Sequence, residues 1–187
     1  MKTDLGLSVE RIKLLRGLPM ADAIRFWDGM EQHGREAGTL ESVIRTLCLV
    51  DLFYLLVRVC GRVDMLHPWV YWRVREVERE PDNHVDLCAR GHFKSSTITF
   101  GLTIQDILKD PEITFGIFSH TRPIAKAFLR QIMREFEGNR VLHSVFPDIL
   151  WGEDVRKAPK WSEDDGIIVK RKSNPPEATI EAWGLVD

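Results

Sequence analysis

His84-Val85-Asp86-Leu87-Cys88-Ala89-Arg90-Gly91-His92-Phe93-Lys94-Ser95-Ser96 decides how the rest of the chain is read. Residues 84–88 are short, apolar in the main and end at a polar loop, which predicts a buried strand. Residues 89–93 are the loop. Residues 94–109 follow with Ile98, Gly101, Leu102, Ile104, Gln105 and Leu108 at helical spacing. A loop between a strand and a helix is where phosphate binds, because the helix N-terminus offers unpaired N–H groups and the positive end of its dipole. In the pattern G-x-x-x-x-G-K-[ST] the lysine reaches the β- and γ-phosphates and the next hydroxyl binds Mg²⁺. Lys94 and Ser95 fill those last two places, while Cys88 and Phe93 stand where the glycines belong. A lysine–serine pair after a strand is common, so by pattern alone a helix start that binds nothing competes with a nucleotide site.

Downstream, Asp110-Pro111-Glu112 stops the helix and residues 113–119 (ITFGIFS) form a second apolar strand. Thr121-Arg122-Pro123 opens a second helix, which runs through Phe128, Ile132 and Phe136 to Gly138. Strand, loop and helix, repeated, predict an α/β fold with a parallel sheet and flanking helices. Residues 146–161 are loop-like. Residues 166–172 and 178–186 are strand-like runs around a Ser173-Asn174-Pro175-Pro176 turn.

Upstream the chain reads as helix. Met20, Ala23, Ile24, Trp27 and Met30 share one face of a helix over 19–33, which Gly34 and Gly38 break. Thr39 is placed to cap a long helix to about Cys60, and Pro68 opens another through Trp69, Trp72 and Val77. Residues 80–83 (EPDN) have turn chemistry. The expected division is a helical region over 1–80 and an α/β domain over 81–187.

The 187 residues are 44% hydrophobic and 29% charged, the profile of a globular protein, and the net charge of −2 excludes a general polycation. Three cysteines without paired spacing argue against a disulfide framework or a zinc site. The charged N-terminus is unlike a signal peptide. The most apolar stretch, 47–60, is interrupted by Asp51 and Arg58 and falls short of the roughly 20 residues of a membrane span, so it predicts a buried helix.

The segment Ala89-Arg90-Gly91-His92-Phe93-Lys94-Ser95-Ser96 resembles the deviant Walker A loop of the large terminase subunits, the motors that pump DNA into tailed-phage capsids. In that family the loop often carries an arginine four residues before the lysine and lacks one or both glycines, and Arg90 stands four before Lys94. The likeness continues in order through residues 118–125 (FSHTRPIA), 146–151 (FPDILW), 158–162 (APKWS) and 181–184 (EAWG). It covers roughly residues 40–187. The resemblance implies a P-loop NTPase-like fold over 81–187, with ATP and Mg²⁺ as cofactors. It implies that Arg90 and Lys94 are catalytic, that Ala89, Arg90, Gly91, His92, Phe93, Lys94, Ser95 and Ser96 hold the nucleotide, and that Ser95 binds the metal. It further implies double-stranded DNA, the small terminase subunit and the portal protein as partners, and the host cytoplasm as the location of a viral or prophage protein.

Such an ATPase also needs an acidic strand for Mg²⁺ and the attacking water. Asp187 follows an apolar run, but Gly184 weakens that strand and no residue follows to act as base. The resemblance places the acidic strand and a nuclease domain further on, so the fold is expected to be incomplete at the C-terminus, with ATP bound weakly and hydrolysed negligibly. Two other readings stay open: a helicase-like P-loop ATPase, and a non-enzymatic prophage remnant that binds a partner through its helical part. Lys126, Arg130 and Arg134 form a basic stripe for which surface pairing is favoured over DNA contact. Lys170-Arg171-Lys172 is favoured as a solvated tip. His92 in the loop and His120 in the following one are candidates to approach a nucleotide, with a bystander role the stronger reading for each. Trp69, Tyr71 and Trp72 precede the expected strand, so an aromatic here is a candidate to hold the nucleotide base, with core packing the stronger reading.

Overall fold

Helix α1 (Met20–Ala37) turns Ala23, Trp27 and Gly34 inward. It runs one turn past its expected end because Gly34 is where the next helix crosses. A Cβ there would lie 2.9 Å from Val43 Cγ2 and 3.1 Å from Leu40 Cα. Gly38, at φ 69°, ends the helix in the left-handed conformation, and the Thr39 N–H returns to the Gly34 carbonyl at 2.8 Å. Thr39 makes no side-chain cap to α2 (Leu40–Val50).

The single long helix expected to reach Cys60 is broken at Asp51, whose backbone is extended (φ −135°, ψ 101°). Its carboxylate accepts the Tyr54 N–H at 2.9 Å and so caps a new start, α3 (Leu52–Tyr54), which continues as a π turn over Leu55–Val59. Leu47, Leu52, Phe53, Leu55 and Leu56 are fully buried, as the apolar run predicts. Each such side chain contributes about 1.5–3 kcal/mol on leaving water. Trp27 meets Tyr54 edge-on at 5.4 Å, and Phe53 meets Tyr71 at 5.0 Å. Tyr71 belongs to α4 (Pro68–Arg79), which Pro68 opens as expected.

The computed structural model describes residues 14–79 and 85–186. The expected turn at 80–83, the start of the expected strand at His84, and Asp187 lie outside the described residues. The chain forms two compact units, Met1–Lys94 and Ser95–Asp187. In the first, residues 85–89 have no regular structure, and Val85 and Leu87 are 83% and 92% exposed. The buried strand expected there is not formed. These residues join no ladder, and Asp86 is instead held by an ion pair to Arg73 of α4.

In the second unit, Ser96–Leu102 is a π-helix that passes into α5 (Thr103–Lys109). Strand β1 (Phe115–Ser119) and α6 (Arg122–Gly138) lie where the periodicity puts them, with Pro123 in the first turn of α6. The short α7 (Arg140–Val145) is capped by Asn139, whose side chain accepts the Leu142 N–H at 3.0 Å. Three more strands follow: β2 (Trp161–Ser162), β3 (Gly166–Ile167) and β4 (Ile180–Gly184). The sheet order is β1-β4-β3-β2. β1 and β4 are parallel, whereas β3 runs antiparallel to both β4 and β2, so the sheet is mixed.

The run expected as a strand over 166–172 shortens to two residues because its backbone bonds elsewhere. The Ile168 N–H goes to the Lys160 carbonyl at 3.0 Å, and the Lys170 N–H to the Ile149 carbonyl at 2.8 Å. Helix α6 buries Ala125, Leu129, Ile132 and Phe136, and packs on the sheet face that carries Ile117, Ile180 and Ala182.

Candidate functional site

The loop predicted to bind phosphate is held open by two left-handed residues, Gly91 at φ 84° and Phe93 at φ 56°. Phe93 alone among the described non-glycine residues has positive φ. Lys94 and Ser95 then enter helical backbone. Ala89, Arg90, Gly91, His92 and Lys94 are exposed, and Phe93, Ser95 and Ser96 are half-buried. The phosphate-loop positions therefore present their cations to solvent.

His92 folds back under the turn. Its Nδ1 lies 3.2 Å from the carbonyl oxygens of both Ala89 and Arg90, so Nδ1–H donates to them and braces the loop. Its ring meets Trp69 of α4 edge-on, with centroids 5.2 Å apart. The structure thus brings together two residues that were read separately from the sequence. Arg73, in the same helix, holds Asp86 just ahead of the loop.

The basic features resolve as pairings. Lys126 and Arg130 meet the carboxylates of Asp164 and Glu163, which those cations hold below the usual carboxylate range. The partners come from the turn after β2. Arg171 donates to the Glu177 carbonyl at 2.8 Å and Lys170 to the Pro147 carbonyl at 2.8 Å, so the run 170–172 is partly tied down. His120 is exposed at the end of β1.

The sequence reading missed a buried ionic cluster in the helical unit. Arg75 donates to Asp51 at 2.9 Å and to Glu78, with all three side chains withdrawn from solvent. Asp51 also accepts from Trp27 Nε1 at 2.9 Å, and Glu78 from the Leu52 N–H at 2.7 Å. Arg16 closes the cluster, donating to the Val50 carbonyl at 2.9 Å and pairing with Glu78 at 3.5 Å. Burial alone pulls the Arg75 guanidinium toward neutrality, but the charges of Asp51 and Glu78 outweigh it and hold it firmly cationic. The signal was present: Arg75 and Glu78 fall on the same stripe of α4 as Tyr71, a charge pair on an otherwise apolar face. Every charge in the cluster meets a structural partner, so it reads as scaffold rather than as an active centre.

No group of three or more histidine, cysteine or acidic side chains among the described residues is placed to hold a metal ion. Cys48, Cys60 and Cys88 form no disulfide. No described helix is long and apolar enough to cross a membrane. No protein-family model, curated protein or solved structure matches the chain.

Proposed function

We propose that residues 89–96 bind the polyphosphate of ATP together with Mg²⁺, as the nucleotide site of a DNA-packaging motor of the terminase type. The observation that carries this reading is the backbone of Phe93. It stands at the second glycine place of the phosphate-loop pattern, and it holds the left-handed conformation that glycine adopts freely. For a bulky side chain this costs on the order of 1–3 kcal/mol, a strain that persists where surrounding structure imposes it and that gathers at ligand-binding turns. Gly91 adds a second left-handed residue, and turns of this kind direct successive N–H groups into an anion-binding concavity.

The donor chemistry fits the ligand. Lys94 supplies a compact cation to the terminal phosphates, and Arg90 a planar fork for a phosphate oxygen. Ser95 supplies an oxygen for Mg²⁺, which would neutralise charge on the phosphates. The π turn that begins at Ser96 is of a kind frequent at functional sites. Double-stranded DNA, a small terminase subunit, a portal ring and a host-cytoplasm setting belong to the same reading. A second reading, a partner-binding module without catalysis, is favoured by the exposure of Val85 and Leu87 just ahead of the loop.

The test is a titration of a fluorescent ATP analogue into the protein with Mg²⁺, repeated with Lys94→Ala and Arg90→Ala. The expected result is saturable binding that weakens at least about tenfold, roughly 1.4 kcal/mol, in Lys94→Ala. Absence of binding by the unaltered protein would overturn the nucleotide reading and leave the module.

A further inference from the structure

Helix α4 holds the segment that leads into the phosphate loop at two points. Arg73 pairs with Asp86, and Trp69, one turn earlier on the same side of α4, meets the His92 ring edge-on at 5.2 Å. Residues 86–92 therefore run back along the helix toward its start. Trp69 is itself fixed there. Pro68 opens the helix, and the Trp69 N–H donates to His67 Nδ1 at 3.1 Å.

The His92 ring joins this scaffold to the loop. A carbonyl oxygen only accepts, so Nδ1 carries the proton that Ala89 and Arg90 share, each at 3.2 Å. That shared proton closes residues 89–92 on themselves. Helical backbone begins at Lys94. The change of direction between the closed turn and the helix falls on Phe93, at φ 56°. Glycine takes such a backbone freely, whereas phenylalanine takes it only where its surroundings impose it.

We infer that Trp69 and His92 are positioning residues for this loop. Trp69 fixes the His92 ring, the ring fixes the turn, and the turn imposes the left-handed backbone of Phe93. Two side chains thereby give the loop the shape that a glycine at position 93 would allow without help. The inference rests on the nucleotide reading of residues 89–96 for its use, and neither side chain has to touch the nucleotide.

Two readouts on the full chain test it. The first needs no nucleotide. Trypsin cuts after Arg90 and after Lys94, and the rate of each cut, followed by mass spectrometry, reports how firmly the loop is held. His92→Ala and Trp69→Ala are each expected to speed both cuts about three- to tenfold, with an unchanged far-UV circular dichroism spectrum. The double variant should be cut no faster than His92→Ala alone, because the two residues act in series. His92→Asn keeps a donor at the place of Nδ1 and should be cut more slowly than His92→Ala.

The second readout is titration with the fluorescent ATP analogue and Mg²⁺. Each alanine variant should bind about three- to tenfold more weakly than the native chain. In a Phe93→Gly background, adding either alanine should change the affinity by less than about twofold, because glycine needs no brace. Equal losses with and without Phe93→Gly would overturn the inference and make Trp69 and His92 direct ligands. Cleavage rates indifferent to both residues would overturn it as well. A native chain that binds no nucleotide defeats the nucleotide reading, and the hold of Trp69 and His92 on the loop then stands or falls on the cleavage rates alone.

Discussion

Arg75 Nη2 stands 2.9 Å from Asp51 Oδ2, and neither side chain has any surface in contact with solvent. With Glu78 on its other nitrogen, this arginine neutralises two buried carboxylates that the backbone also uses, Asp51 as the cap of Tyr54 and Glu78 as acceptor for Leu52. A charge left alone in such a place costs far more than the intact cluster contributes.

Replacing Arg75 with methionine keeps much of its volume and removes its charge. Asp51 then remains buried without a cation, and Glu78 keeps only Arg16 at 3.5 Å. The expected loss is about 3–5 kcal/mol, read as a lowered urea midpoint of the helical transition. An unchanged midpoint would mean that Asp51 and Glu78 are served by other groups.

The cluster also sets a pH dependence. Burial raises the Glu78 carboxyl above its ordinary value of 4.5, against the pull of Arg75. The folded state then holds this proton more tightly than the unfolded chain does. The contribution of Glu78 is full below pH 4.5 and is lost as pH rises through the raised folded value. Glu78→Gln, which carries no titrating proton, should flatten this part of the profile in denaturation midpoints measured between roughly pH 4 and pH 8. A variant profile parallel to the native one would refute the assignment.

Cys48 is fully buried beside Asp51, and burial first, then that neighbouring charge, pushes its thiol far above the ordinary range. Cys60 and Cys88 are half-buried. Thiol titration with an aromatic disulfide at neutral pH should therefore label Cys60 and Cys88 in the native protein, and Cys48 only on unfolding. Rapid native labelling of Cys48 would show that the helical unit opens locally.

Gly91 tests the loop. At φ 84° with open space around it, an alanine meets no atom but must adopt a left-handed backbone. Gly91→Ala should cost about 1 kcal/mol of stability and weaken nucleotide binding, while a substitution at Gly17, which has ordinary φ and equally open surroundings, should do neither.

The helices, the strand β1 and the paired surface cations were legible because periodicity and caps are local, as in Pro68 opening α4 and Pro123 opening α6. Asp51 shows where local reading stops. It was visible as a charge interrupting an apolar run, but its power to break the helix comes from Trp27 and Arg75, each 24 residues away. The run after Gly166 failed similarly: its apolar residues are buried, but against loop carbonyls rather than a ladder. In the loop, the identities of Lys94 and Ser95 could be read directly, whereas the left-handed Phe93 could not, since nothing in a phenylalanine announces positive φ.

The ionic cluster also sets how far the helical unit can be trimmed. Its members run from Arg16, before α1, to Glu78, one residue short of the end of α4. No shorter piece of that unit keeps every buried charge answered. A dissection that begins at Met20, the first residue of α1, would leave Glu78 and the Val50 carbonyl without Arg16, so the minimal autonomous fragment is defined by electrostatics at its edges, not by where its helices begin.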